Sequence, residues 1–184
     1  MKLVLCSASP RRRELLEGVG VGFSLAPAHI DECQKPGESP RDYVRRMARE
    51  KAAAGAGPGQ VALAADTIVV VGDDVLGKPR DRSDAERMLR RLSGIEHRVI
   101  TAVCVPPRVR AVETTVKFAA LSDAQVRWLA ASGDGDDKAG AYAVQGLAGA
   151  FVERIDGSFT NVVGLPLLET LQMLAEASVE LPWM

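Results

Sequence analysis

An apolar run over residues 61–71 is broken by a single acidic residue, Asp66, in the stretch AADTIVVV. The length of the run and its many β-branched residues are typical of a strand buried on both faces of a sheet, as in α/β proteins. An unpaired carboxylate in such a position costs several kcal/mol. Asp66 must therefore meet a cation, a metal ion or a set of hydrogen-bond donors from another part of the chain, or else take up a proton.

Short strand-like runs and helix start signals alternate on both sides of this segment. Further strands are predicted over residues 2–6, 97–105, 112–120 and 149–155. Helices are predicted over residues 10–18 with Ser9 as N-cap, after Ser39, over residues 83–92 behind a capping box, after Ser122, and over residues 165–176. The last helix carries its leucines on one face, namely Leu167, Leu168, Leu171 and Leu174. Because the middle of the chain holds consecutive strands, we expect an α/β fold with a mixed central sheet flanked by helices.

Length and composition exclude several classes of protein. A chain of 184 residues with 47% hydrophobic residues predicts a single domain over residues 1–184. The 23 basic and 24 acidic residues nearly balance, so no global charge favours nucleic acid or a membrane surface. The three cysteines are far apart, and no apolar run approaches the length of a membrane span or follows the pattern of a signal peptide. We therefore expect a cytoplasmic protein without disulfides, structural zinc or a membrane segment.

The segment SASPRRR combines several features that bind anions. It stands where a strand ends and a helix begins, so hydroxyl groups of Ser7 and Ser9, free backbone N–H groups and the guanidinium groups of Arg11 and Arg12 converge there. A capped helix followed by a solvated basic turn explains the same residues equally well. The segment is not a P-loop, because the GxxxxGK[ST] pattern is absent.

Two lysines add to the candidate cations. Lys78 lies between Gly77 and Pro79 just beyond the strand of Asp66, and this tight loop restricts the direction of its side chain. Lys51 follows a helix that carries four arginines, Arg41, Arg45, Arg46 and Arg49, most of which are interpreted as a solvated face. Taken alone, Lys51 is typical of a surface lysine. Asp66 itself is interpreted as a base or metal ligand, with a structural ion pair as the alternative.

The remaining candidates and the absent motifs narrow the chemistry. Glu32 follows Asp31 in a loop and offers a second carboxylate, although adjacent loop acids are usually solvated. His29 and His97 lack metal-ligand spacing and are interpreted as structural. No GxSxG, HExxH or GxGxxG pattern occurs. Cations around one or two carboxylates suit a polyphosphate ester with a divalent metal ion.

Six segments in order carry a resemblance to a known family: SASPRRRELL, AADTIVV, LGKPRD, LSGIEHRVITAV, DKAGAYAVQG and GSFTNVVGLPL. Together they resemble the Maf family of nucleotide pyrophosphatases from Leu3 to about Met173. The resemblance implies a homodimeric α/β protein related in shape to the inosine-triphosphate pyrophosphatases, with an active-site cleft between two lobes. It also implies hydrolysis of a nucleoside triphosphate to the monophosphate and pyrophosphate with a divalent cation, Mg²⁺ or Mn²⁺.

The resemblance also implies roles for individual residues. Asp66 is the general base. It faces the turn that contains Ser7, Ser9, Arg11 and Arg12, and it faces the cations Lys51 and Lys78. The metal-binding carboxylates are Glu32 and Asp66. The tract at residues 138–146 resembles the branch that acts on dTTP and UTP, and Arg11, Thr67 and Gln145 set the choice of base. One carboxamide can accept from N3–H and donate to O4 of uracil or thymine, so Gln145 suits this role, with a loop-capping amide as the alternative.

Two departures and two rival functions accompany this interpretation. His29 stands where the family usually has an acidic residue before the Ile-Asp-Glu segment, and the stretch at residues 94–97 lacks the basic residue often found after Gly94. These departures concern fine substrate preference and not the reaction class. One rival is a nucleotide-binding regulator of cell division without essential catalysis, and the other is a nucleic-acid-binding module. Only eight residues are aromatic, which weighs against the second. Pyrophosphate release from the purified protein separates catalysis from the first rival, and salt-sensitive binding to an oligonucleotide at low micromolar concentration would support the second.

Overall fold

The structure of the protein is a computed structural model that describes residues 1–184. Its seven strands are β1 (Lys2–Leu5), β2 (Ser24–Leu25), β3 (Gln60–Val71), β4 (Asp74–Leu76), β5 (Glu96–Val105), β6 (Arg108–Phe118) and β7 (Val152–Asp156). Its six α-helices are α1 (Pro10–Gly18), α2 (Pro40–Gly55), α3 (Arg82–Leu92), α4 (Asp123–Ser132), α5 (Phe159–Val163) and α6 (Leu167–Glu176). Short 3₁₀ turns lie at Ala139–Ala141 and Leu147–Phe151.

The strands form one mixed sheet in the order β2-β1-β3-β5-β6-β7, with β4 paired to β3. β1 runs parallel to both β2 and β3, and Leu5 lies beside Leu63 in the second pairing. β3 pairs antiparallel with β4, and β6 pairs antiparallel with β7. These pairings confirm the predicted α/β class and mixed sheet. The long β3 strand is buried along nearly its whole length, as its continuous apolar run predicts.

The chain divides into two compact units. Unit 1 comprises Met1–Asp66, Thr101–Val112 and Gly164–Met184, and unit 2 comprises Thr67–Ile100 and Glu113–Val163. Each unit has its own apolar core, which includes Leu5 and Met173 in unit 1 and Phe118 and Leu89 in unit 2. The strands β3, β5 and β6 contribute residues to both units, and the single domain over residues 1–184 stays a prediction. None of the helices combines the length and the apolar composition that a membrane span requires.

Local capping signals place several helices where the sequence predicts them. The Ser39 hydroxyl accepts a hydrogen bond from the Asp42 amide at 3.2 Å, which starts α2. Ser122 caps α4 as predicted, and it forms a reciprocal capping box with Gln125. Ser9 occupies the N-cap position of α1, but its side chain makes no capping hydrogen bond there.

Other predicted boundaries were wrong for identifiable reasons. α3 is capped by Asp81 rather than Ser83, because the Asp81 carboxylate accepts the Asp84 amide at 2.8 Å. β6 begins at Arg108 rather than at residue 112, because a two-residue turn after Val105 folds it directly against β5.

The C-terminal elements also differ from prediction. Residues 147–151 form a 3₁₀ turn, so β7 begins only at Val152. The buried residues of α6 are Thr170, Met173 and Leu174, and Leu167 and Leu171 pack against the same core, so of the four predicted leucines only Leu168 is exposed.

His97 is structural, as predicted, and it is buried in the core of unit 2. Its Nε2 atom lies 2.8 Å from Tyr142 Oη, and Phe118 and Tyr142 pack edge-on against its ring. Its Nδ1 atom is buried without a partner. Burial lowers the pKa of His97 to about 4, because the protonated ring would lose its hydration.

This buried ring predicts that the stability of the protein falls below neutral pH. An unfolded histidine takes up its proton near pH 6.5, whereas His97 in the folded protein stays neutral until about pH 4. The unfolded state therefore binds more protons between these values, and the free energy of unfolding falls by about 2 kcal/mol from pH 7 to pH 5 through this group. Urea unfolding at the two pH values measures the effect. A His97→Gln variant should lose this part of the pH dependence, and an unchanged difference between the two pH values would contradict it.

Candidate active site

The carboxylate of Asp66 is paired with the ammonium group of Lys51, which answers the question raised by its apolar surroundings. Asp66 lies in β3 and is 8% exposed, and Lys51 lies in the last turns of α2 and is 9% exposed. Lys51 Nζ donates to Asp66 Oδ1 at 2.6 Å. Two opposite charges thus share one buried position, which is the arrangement that makes a buried charge tolerable.

A second carboxylate contacts the same lysine. Glu32 Oε1 lies 2.7 Å from Lys51 Nζ, and the Glu32 side chain is 51% exposed. Glu32 belongs to the segment between β2 and α2, which has no helix or strand of its own. Lys51 therefore lies between a buried acid and an accessible one.

Arg12 holds the SASPRRR turn against the strand of Asp66. Its Nη1 atom donates to the Ala65 carbonyl at 2.7 Å and to Ser7 Oγ at 3.1 Å, and its Nε atom donates to the Gly164 carbonyl at 2.8 Å. Ser7 Oγ also accepts the Ser9 amide at 3.2 Å. The predicted anion-binding turn is thus ordered by contacts within unit 1, and Arg12 places a fixed positive charge one residue from Asp66.

Burial and neighbouring charges act on Asp66 in opposite directions. Burial raises its pKa, the nearby cations Lys51 and Arg12 lower it, and Glu32 raises it again. The net pKa lies above the ordinary value of an aspartate. A carboxylate with a raised pKa is a stronger base, which suits proton abstraction from water.

In unit 2, the loop of Lys78 is attached to the tract at residues 138–146. The Gly140 amide donates to the Gly77 carbonyl at 3.0 Å. Gly140 has φ +73°, and an added Cβ would come within 3.0 Å of the Val69 side chain, so the tract packs too closely for a larger residue. Lys78 and Gln145 are both exposed, and Lys78 forms no ion pair.

The structure brings five of the predicted site residues together in unit 1: Ser7, Arg12, Glu32, Lys51 and Asp66. Ser9 is adjacent to them through its amide, and Arg11 follows in the first turn of α1. Thr67 is the first residue of unit 2 and follows Asp66 in β3. The individual catalytic, substrate-binding and metal-binding roles stay predictions.

Glu32 and Asp66 stay the predicted ligands of a divalent cation, whose other ligands would come from the substrate. The structure has no group of three His, Cys, Asp or Glu side chains that would bind a metal ion by themselves. Lys51 brings Glu32 and Asp66 close to each other, since its Nζ atom lies within 2.7 Å of a carboxylate oxygen of each. Mg²⁺ is commonly held by one or two carboxylates, with substrate phosphates and water as its other ligands.

Sequence reasoning missed the residues that hold Glu32 in place. The arginines of α2 were interpreted as mostly solvated, but Arg46 forms a two-point ion pair with Glu38, with both N–O distances at 2.7 Å. Tyr43, one turn earlier, donates to the Glu32 carbonyl at 2.7 Å. The available signal is the four-residue spacing of Tyr43, Met47 and Lys51, which puts them on one side of α2.

A family model and several named relatives match nearly the whole chain. The family model described as "Maf-like protein" matches residues 2–177. A protein of Anaeromyxobacter dehalogenans (strain 2CP-1 / ATCC BAA-258), named dTTP/UTP pyrophosphatase, is 56% identical over 99% of this chain and 97% of its own length. A relative of the same name in Shewanella sp. (strain MR-7) is 52% identical over 97% of this chain and 100% of its own length. Another in Myxococcus xanthus (strain DK1622) is 50% identical over 98% of this chain and 95% of its own length.

Proposed function

The chain belongs to the Maf family, and from this premise we propose that it hydrolyses dTTP and UTP to the nucleoside monophosphate and pyrophosphate. The observation that carries the proposal is the similarity to relatives named dTTP/UTP pyrophosphatase, which extends over 97–99% of this chain. The charges around Asp66 support the same chemistry, because phosphoryl transfer depends mostly on positioning and charge neutralisation.

In the proposed reaction, Asp66 takes a proton from a water molecule as the water oxygen attacks the α-phosphorus. A new P–O bond forms, the bond from the α-phosphorus to the bridging oxygen breaks, and pyrophosphate leaves with the bonding electrons. The raised pKa of Asp66 supports its part as the proton acceptor.

Positive groups are proposed to stabilise the negative charge of the phosphates. An ammonium group has three N–H donors, and Lys51 directs two of them to Asp66 and Glu32, which leaves a third for a phosphate oxygen. Arg12, Arg11 and the hydroxyl groups of Ser7 and Ser9 contribute at the turn, and Lys78 contributes from its loop.

Glu32 and Asp66 are proposed to hold a divalent cation, Mg²⁺ or Mn²⁺, together with substrate phosphates. When bound, such a cation supplies additional neutralisation of phosphate charge. Base choice is proposed to involve Arg11, Thr67 and Gln145, whose carboxamide pairs with N3–H and O4 of the pyrimidine.

A panel of nucleotides tests the function. With Mg²⁺, purified protein is expected to release pyrophosphate and dTMP from dTTP, and pyrophosphate and UMP from UTP, with lower kcat/KM for dATP, GTP and 7-methyl-GTP. Modified pyrimidine triphosphates in the same panel test a role in clearing unwanted nucleotides from the cellular pool. Release of orthophosphate instead of pyrophosphate, or no release from any nucleotide, would overturn the proposal and revive the rival of a nucleotide-binding regulator.

The proposed setting is a cytoplasmic homodimer that does not bind nucleic acid. Free cysteines, namely Cys6, Cys33 and Cys104, agree with a reducing compartment. Light scattering of the purified protein tests the dimer, and oligonucleotide binding at low salt tests the absence of nucleic-acid affinity.

A further inference from the structure

The loop that carries Glu32 is tied to α2 at two successive carbonyl groups. We call residues 31–38 the Glu32 loop. Tyr43 Oη donates to the Glu32 carbonyl at 2.7 Å, and Arg46 Nη2 donates to the Cys33 carbonyl at 2.9 Å. Both donors come from α2, whereas the loop has no helix or strand of its own.

Arg46 also forms an ion pair with Glu38, the last residue of the Glu32 loop. Its Nε and Nη2 atoms contact the two Glu38 carboxylate oxygens at 2.7 Å each. Glu38 Oε2 accepts the Lys35 amide at 3.1 Å, and the Glu38 carbonyl accepts Gln34 Nε2 at 2.8 Å. These contacts with Arg46 hold the pKa of Glu38 at about 2, so the pair is charged at all physiological pH values.

The same helix carries the lysine that Glu32 contacts. Tyr43 and Lys51 are two helical turns apart on one side of α2, and Lys51 Nζ lies 2.7 Å from Glu32 Oε1. One rigid element thus presents the cation and also the two groups that fix the backbone of its partner. The Glu32 side chain is 51% exposed, so about half of its surface faces solvent.

We propose that Tyr43 and Arg46 are positioning residues that hold Glu32 against Lys51, so that the carboxylate is already in place when the triphosphate binds. This inference rests on the proposed function. Neither residue takes part in the chemistry. Each acts through Glu32, and the guanidinium fork of Arg46 is essential because a lysine could not contact Glu38 and the Cys33 carbonyl in the same geometry.

A double-mutant cycle on pyrophosphate release from dTTP tests the first consequence. Arg46→Lys is expected to lower kcat/KM by about 10-fold, as is typical when a residue that orients a ligand side chain is lost. In a Glu32→Gln background the same substitution should cause no further loss, because its effect passes through Glu32. Arg49→Lys, an exposed residue of the same helix without an ion pair, is the matched control and should leave kcat/KM unchanged. If Arg46→Lys lowers kcat/KM by the same factor in the Glu32→Gln background as in the wild type, the proposal is overturned.

Amide hydrogen exchange provides a second test that does not depend on activity. The Cys33 and Lys35 amides bond to Asp31 Oδ1 and Glu38 Oε2 within the loop. In Arg46→Lys and Tyr43→Phe these amides should exchange at least about 10-fold faster than in the wild type, while the Asp42 amide at the α2 cap keeps its rate. Unchanged exchange in the loop overturns the proposal. If the wild type releases no pyrophosphate but loop exchange accelerates as expected, the proposed function fails while the attachment of the Glu32 loop to α2 is supported.

Discussion

Replacement of Asp66 by asparagine is expected to lower the turnover of dTTP by at least about 10²-fold, in the range typical of a lost general base. An amide cannot take the proton of the attacking water, yet it has nearly the same shape and still accepts a hydrogen bond from Lys51. Lys51 also keeps Glu32 as an ionic partner at 2.7 Å, so the variant should fold. Steady-state pyrophosphate release at saturating dTTP measures kcat.

Two controls make this result specific to the carboxylate of Asp66. Circular dichroism and thermal unfolding should show that Asp66→Asn retains the folded structure. Asp73→Asn changes the same functional group in an exposed turn and should leave kcat unchanged. Turnover of Asp66→Asn within a few-fold of the wild type would remove Asp66 from the role of base.

The wild-type pH profile gives an independent check on the same carboxylate. Because burial raises the pKa of Asp66 in the free protein, the acidic limb of kcat/KM should lie above the pH at which an ordinary aspartate loses its proton. The rate falls as the pH drops through this limb, since the protonated carboxyl group cannot accept a proton. A limb at the ordinary aspartate value would mean that another group limits the rate.

The parts of the fold that were predicted correctly depend on local signals. Ser39 starts α2 through the amide three residues later, and the Ser122 capping box does the same for α4, so neither needs information from distant residues. β3 was recognisable because burial on both faces requires a continuous apolar run. At α3 two nearby side chains compete for the same cap, and only the structure shows that Asp81 prevails over Ser83.

The sequence predicted that Asp66 needs a charge partner, but it did not show which residues would contact it. The need of Asp66 for a cation follows from the cost of a buried charge, but Lys51 alone is typical of a surface lysine. Its burial is a matter of packing between distant parts of the chain, such as the close approach of the end of α2 to the residue after β1, where an added Cβ on Gly55 would lie 2.4 Å from Cys6 Sγ. Arg46 was misread for a similar reason, because its partner Glu38 lies in a loop outside the helix.

Replacement of Lys51 by methionine is expected to destabilise the protein as well as abolish its activity. Methionine keeps much of the side-chain length but leaves Asp66 buried without its ionic partner at 2.6 Å. Loss of one member of a buried ion pair typically costs about 3 kcal/mol or more, and the Lys51 and Asp66 side chains are only 11% and 12% exposed. Urea unfolding at pH 7 should show a deficit of this size relative to the wild type.

The pH dependence of that deficit identifies its cause. Without Lys51 the pKa of Asp66 in the folded state should rise further above the unfolded value, because the ionised carboxylate loses its partner. The free energy of unfolding then decreases as the pH rises from the unfolded pKa to the folded pKa. The difference in unfolding free energy between variant and wild type should therefore shrink as the pH falls, while the contribution of His97 cancels because both proteins contain it.

A second substitution and a matched control separate the charge effect from packing. Lys51→Met/Asp66→Asn should recover most of the lost stability without recovering activity, since the buried charge is gone but so is the base. Lys78→Met removes an exposed lysine that has no ion pair, so its free energy of unfolding should stay within about 0.5 kcal/mol of the wild type. A Lys51→Met deficit that is independent of pH and persists in the double variant would mean that Lys51 acts through packing and that the charge of Asp66 is balanced by other groups.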